Sequence, residues 1–238
     1  MRAVFSAIFL VLLGCTTDEC ATDSGDSGGG DAIRPDAASD SAAKPDAPFA
    51  CSAGSWLLCD TFERTSDVRG TWTALDTSGG ATLELVPVWD GRALRASAPG
   101  AMSGWLRFDA PQVSSYELGV DVDVVAAAGP GERSSVIAIA SPSETVLFDV
   151  DGKTATLHLT GSVEDTIALG SYSGRHRVEI RRDLGSMRIH VAIDGTSVAD
   201  VARAVMTPGP LSLRVGVIAA PPSSVPTEVR FDDLLLVP

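Results

Sequence analysis

The sequence predicts an all-β fold for residues 51–238, an antiparallel sandwich or barrel. Three observations carry this. From Cys51 onward, short runs of alternating apolar and polar residues are separated by Gly, Pro, Ser and Asp-Gly, with turn signals at the roughly 8–12-residue spacing of such folds. No stretch sustains a helical period, although residues 198–206 could make one or two helical turns. Two neighbouring runs, 176–182 and 187–193, agree in phase as the arms of a hairpin.

Ahead of that domain the chain is of another kind. Met1 and Arg2 give a positive start, and residues 3–13 are apolar except for Ser6. Such a run has the length of a signal-peptide core and is too short to span a bilayer as a helix, which needs about 20 residues. It ends in Leu12-Leu13-Gly14-Cys15. This ending resembles the bacterial lipoprotein signal, in which a cysteine follows a small residue and an apolar pair. The resemblance implies that residues 1–15 are a signal peptide ending at a lipidated Cys15. It also implies an outer-membrane address, because Thr16 stands where an aspartate would retain the protein in the inner membrane. Multiple acyl chains anchor stably where one is marginal. The expected localisation is the cell envelope, with the membrane as a partner through the lipid anchor.

Residues 16–50 are Asp, Ser, Gly, Ala and Pro, with Ile33 and Phe49 the large apolar exceptions. A segment so poor in apolar surface cannot offset its ordering entropy, so it reads as a disordered tether. As a coil it would reach about 30–35 Å on average. It holds seven Asp and one Glu against Arg34 and Lys44, a large share of the chain's formal charge of −13. That charge argues against nucleic acid as a partner. Of the four cysteines, Cys51 and Cys59 flank a short loop and should pair in an oxidising compartment. Cys20 stays free or pairs between chains, and no second close pair exists to build a Cys-based metal site.

Within the domain, alternation marks strands over 57–62, 70–75, 82–88, 92–97, 104–108, 116–125, 134–140, 145–150, 154–160, 163–169, 176–182, 187–193, 211–219 and 227–237. For the hairpin, a turn at Leu184-Gly185 sets Ile180 against Ile189, Val178 against Val191 and His176 against Ile193 on the core side. Arg181 then meets Arg188 and Glu179 meets His190 on the outer side. Asp194-Gly195 turns the chain again.

Here the chain resembles a family. GRHRVEIRRD…MRIHVAIDG looks like the penultimate hairpin of the concanavalin A-like, laminin G-like jelly roll. VRFDDLLLVP looks like its last strand, and LLCDTFER followed by Trp72 like its opening. The resemblance implies an antiparallel jelly-roll β-sandwich over residues 51–238. In similar carbohydrate-binding modules, acids near the two termini hold a structural calcium, which would here fall to Asp60, Glu63, Asp232 and Asp233.

Chemistry is harder to place. Retaining glycosidases of this fold carry E-x-D-x-E on one strand. Glu117, Asp121 and Asp123 come nearest but lack the flanking Glu positions, so they read as solvent-facing and no catalytic residue is assigned. His158 alternates with Leu157 and Leu159 and should face solvent, whereas His176 should face the core. Trp72 and Trp89 read as packed. Trp105 shares its face with Arg107 and Asp109 and reads as exposed, a candidate for sugar stacking. Arg175, Arg177, Arg181 and Arg188 fall on the outward face of one hairpin, with Arg182 near its turn. Planar guanidinium groups there suit an anionic glycan. The reading from sequence is a non-enzymatic, lectin-like lipoprotein that binds glycan or an envelope protein. The alternative is a carbohydrate-active enzyme, a glycoside hydrolase or polysaccharide lyase with a degenerate motif, or a structural surface protein without a small ligand.

Overall fold

The computed structural model describes Cys51 and residues 54–88, 91–127, 129, 131–161, 163–183, 187–204, 207–222 and 225–238. Cys15, Cys20, the 16–50 segment and Trp89 lie outside the described residues. The strands are β1 (Leu58–Asp60), β2 (Ala74–Thr77), β3 (Thr82–Val88), β4 (Gly91–Ala98), β5 (Gly104–Val113), β6 (Tyr116–Ala126), β7 (Ser134–Ala140), β8 (Glu144–Val150), β9 (Thr154–Gly161), β10 (Asp165–Ser171), β11 (Gly174–Asp183), β12 (Arg188–Ile193), β13 (Thr196–Ala202), β14 (Gly209–Ala219) and β15 (Thr227–Val237). They form two antiparallel sheets packed as a jelly-roll sandwich. The eight-stranded sheet runs β13-β12-β11-β6-β15-β4-β3, with β1 also on β15, and the seven-stranded sheet runs β10-β9-β8-β7-β14-β5-β2.

Period-two alternation decides which side chains enter the core. On β6, Leu118, Val120 and Val122 point inward and Glu117, Asp121 and Asp123 outward. Val178, Ile180 and Phe231 join them from the same sheet. Ile137, Phe148, Leu157, Leu213 and Val215 meet them from the other, and all of these side chains are inaccessible to solvent. Each such burial contributes about 1.5–3 kcal/mol.

The opening motif is a structural latch. Asp60 Oδ1 accepts the Phe62 backbone N–H at 2.8 Å, and Asp60 Oδ2 accepts the Trp72 indole N–H at 2.6 Å. Those bonds hold Phe62 at φ 55°, a region costly for a non-glycine residue, and Phe62 stacks on Trp72 at a 6.4 Å centroid separation. The Cys51–Cys59 disulfide is formed, with its Cα atoms 5.8 Å apart.

Three readings of the sequence are corrected. The β11–β12 pairing is shifted by two residues: Val178 faces Ile193, Ile180 faces Val191 and Arg182 faces Ile189. A two-residue slip keeps every side chain on its face, so alternation alone could not tell the registers apart. The expected helical turns over 198–206 do not form across 198–202, because β13 occupies Thr196–Ala202 as an edge strand on β12, and residues 205–206 lie outside the described residues. Arg182, which the sequence placed only near the turn beside the outward arginines, is fully buried on the core side. Its Nε donates to Glu144 Oε1 of the opposite sheet at 2.5 Å, and its Nη2 donates to the Ala204 carbonyl at 2.6 Å. Arg203 Nε lies 3.6 Å from Glu144 Oε2, so one carboxylate serves two guanidinium groups. Burial first, and then the Glu144 charge, push the phenol of neighbouring Tyr116 far above its ordinary range, against the Arg182 charge.

Candidate functional site

The two sheets turn chemically different outer faces to the surroundings. On the eight-stranded sheet the charges are matched within the face. Register sets Arg175 against Asp123 and Arg177 against Asp121 across β11–β6, and Asp121 against Asp232 across β6–β15. The Arg175 guanidinium engages Asp121 and lies 3.6 Å from Asp232 Oδ2. Arg177 Nη1 reaches Asp121 Oδ1 at 3.1 Å and the Asp233 carbonyl at 2.6 Å. Arg188 pairs with Asp200 at 2.6 Å and Arg230 lies 3.8 Å from Asp123. Arg181 stands exposed between Glu117 and His190 in register. The arginines singled out from the sequence do share one outer face, but Arg175, Arg177 and Arg188 are engaged by the protein's own aspartates.

Asp232 is the perturbed group on that face. Its carboxyl is pushed up to about 7, first by burial and then by the Asp233 charge, against the Asp233 N–H and Arg175. The four acids considered for calcium are not brought together. Asp60 points into the core and is taken up by Phe62 and Trp72, Glu63 Oε1 accepts the Arg92 N–H at 3.1 Å, and Asp232 points outward. Among the described residues, no three or more His, Cys, Asp or Glu are grouped so as to hold a metal ion.

The seven-stranded sheet has a different outer face. Register lays Trp105, Arg107 and Asp109 of β5 beside Gly216, Arg214 and Ser212 of β14. Arg214 is followed by Ala138 on β7, Leu147 on β8 and His158 on β9. Ser212 is followed by Ala140, Thr145 and Thr160. On a flat open sheet, outward residues would be well exposed. Here Ala138 is 6% exposed, Asp149 7% and Thr156 3%, so short side chains lie sunk between taller neighbours in a strip called the furrow below. Gly216 is required at its place, since at φ 136° an added Cβ would lie 2.2 Å from the Gly104 carbonyl oxygen.

The groups in this furrow are unevenly satisfied. The Arg214 guanidinium lies 4.8 Å over the Trp105 ring, and Arg107 Nε is 3.1 Å from Asp109 Oδ2. The Ser212 hydroxyl is buried without a hydrogen-bond partner among the described residues. At the other end, Asp149 Oδ1 accepts the Ser135 hydroxyl at 2.7 Å. Burial holds the Asp149 carboxyl above its ordinary range, opposed by Ser135, His158 and Arg133. His158 lies diagonally across from Asp149 and makes no hydrogen bond among the described residues. The sequence located Trp105 and His158 on outward faces. It missed the pairing of Arg107 with Arg214 and the Asp149–His158 neighbourhood, because both depend on which strands meet across long sequence separations.

No protein-family model matches the chain, and no curated protein does. Similarity emerges among solved structures. Alginate lyase AlgAT5, of polysaccharide lyase family 7, aligns at a TM-score of 0.50 with 14% identity, over 64% of this chain and 81% of that one. Alginate lyase A1-II′ of the same family aligns at 0.50 with 11% identity, over 64% and 82%. A botulinum neurotoxin type C structure, described by its interaction with two ganglioside molecules, aligns at 0.51 with 9% identity over 68% of this chain but 43% of its own. These likenesses show the fold alone, a jelly-roll sandwich. They also correct the non-enzymatic, lectin-like reading. Lyases recur among the neighbours, a finding that favours the carbohydrate-active alternative over that reading.

Proposed function

We propose that the chain is a carbohydrate-active enzyme of the polysaccharide-lyase kind, and that its cleft is the outer furrow of the seven-stranded sheet. One observation carries the proposal. Cationic, aromatic, hydroxyl and imidazole groups from β5, β14 and β9 line one half-buried face that crosses five adjacent strands. At about 4.8 Å per strand that face is about 19 Å across, room for an oligosaccharide lying over the strands. Eliminative cleavage of a uronate chain needs a base for the proton next to the carboxylate, positive charge for the carboxylate itself, and a proton, returned by that same base, for the glycosidic oxygen that leaves as the ring double bond forms. His158, free of hydrogen bonds among the described residues, is the candidate base, and Asp149 beside it would steady the imidazolium that forms. Arg133 is the guanidinium that acts on this end of the cleft.

The proposal includes a location. A lipid on Cys15 and an extended 16–50 tether would hold the enzyme at the cell envelope, within reach of surface or periplasmic polymer. The test of activity is incubation of the purified protein with polymannuronate, polyguluronate and polygalacturonate, following the ultraviolet absorbance of unsaturated sugar ends. His158→Gln should lower the rate about 100-fold or more. No unsaturated ends from any of the three polymers would sink the lyase reading. For the anchor, Cys15→Ala should abolish incorporation of labelled fatty acid, and unchanged labelling would dismiss it.

A further inference from the structure

The far end of the furrow carries an arrangement that folding alone does not favour. Arg107 and Arg214 are directly opposed on neighbouring strands of the same outer face. Like charges so placed destabilise a sheet. Asp109 offsets Arg107, but Arg214 makes no ion pair or hydrogen bond among the described residues, and its charge rests on the Trp105 ring. On the other sheet, by contrast, Arg175, Arg177, Arg188 and Arg230 each have an aspartate.

We infer that Trp105, Arg107 and Arg214 form a distal subsite for one carboxylated sugar of the polymer. An anion between the two guanidinium groups removes their repulsion and accepts their N–H donors in a planar, bidentate geometry. The indole edge offers apolar surface to the ring carbons. Asp76, in register with Trp105 on edge strand β2, bounds the subsite on the outer side. Arg214 stands three strands from His158, about 14 Å at the usual strand spacing. The subsite therefore grips a sugar remote from the reacting one, and it favours long acidic chains over short or neutral ones.

This inference rests on the cleft reading above, and one experiment separates the two. Binding and cleavage of oligouronates of graded length are measured for the wild-type protein, Arg214→Ser and His158→Gln. Binding is read by calorimetry at low and at raised salt. Arg214→Ser should weaken binding of the long chains about tenfold, the loss of one charge-assisted contact, with no effect on the shortest. It should also flatten the salt dependence. His158→Gln should bind as the wild type does. If Arg214→Ser binds and cleaves every length as the wild type does, the subsite is refuted while the lyase reading stands. If no chain is cleaved but long acidic chains bind in an Arg214-dependent way, the lyase reading falls and the subsite stands. Equal binding of a neutral polymer of similar length overturns the anionic specificity.

Discussion

Asp232 shows how one residue can tie stability to pH. Its carboxyl, 7% exposed on the outer face of the eight-stranded sheet, sits among Asp121, Asp233, Arg175 and the β15 backbone. Burial and like charge raise it from 3.8 to about 7. Folding therefore favours the protonated form. The stabilising contribution is fully present below the unfolded value and is lost as pH rises through about 7. Asp232→Asn keeps an acceptor for the Asp233 N–H while removing the charge. It should stabilise the protein by about 1–2 kcal/mol near pH 8.5 and by clearly less near pH 5, where the unfolded carboxyl is ionised and only part of the cost has appeared. Urea unfolding at the two pH values checks this, and an equal effect at both would rule out the charge as the cause. Gly119 belongs to the same network. An added Cβ would lie 2.5 Å from Arg177 Nη2, so Gly119→Ala should displace Arg177 from the Asp233 carbonyl, visible as a local change in amide exchange on β15.

At the level of strands, alternation in the sequence located most elements, because a half-buried strand writes its two faces into consecutive residues. It left register open. β11 and β12 pair two residues away from the alignment that the sequence suggests, and both alignments bury Val178 and Ile180. What separates them is Arg182, which the observed pairing sets opposite Ile189 and beneath Glu144 of β8. A charged residue on a core face looks like an error until its partner, 38 residues earlier, is known. The candidate furrow was half legible for the same reason. Trp105 and His158 declare their outward faces locally, whereas Arg107 meets Arg214 through a strand pairing that no local pattern encodes. The buried pair makes a prediction of its own. Glu144→Ala leaves Arg182 and Arg203 without their carboxylate and should cost about 3–5 kcal/mol by urea unfolding. Replacing Arg182 with Met in the same chain should recover part of that loss. A single variant as stable as the wild type would show that the pair contributes nothing.

Across the whole domain, the order of strands in space differs sharply from their order in the chain. β15, the last strand, is not at an edge. Its first half lies between β6 and β4, and its second half between β6 and β1, the first strand. Phe231, Leu234 and Leu236 from it enter the core. The eight-stranded sheet thus cannot close until the chain's final residues are in place, and the pairing of β1 with β15 joins the two ends of the domain. Contacts so distant in sequence make folding slow, on the scale of milliseconds to seconds. Without β15, β4 and β6 would each present an open edge and a strip of exposed core. A chain ending at Pro226 should therefore fail to fold cooperatively, with loss of the near-ultraviolet dichroism of buried Trp72 and ready proteolysis. A synthetic peptide of residues 227–237 added in excess should restore part of that signal by strand addition, since the gap it fills has hydrogen-bonding edges on both sides. If the truncated chain unfolds cooperatively without the peptide, and with an unchanged midpoint, β15 is not the closing strand of the sandwich.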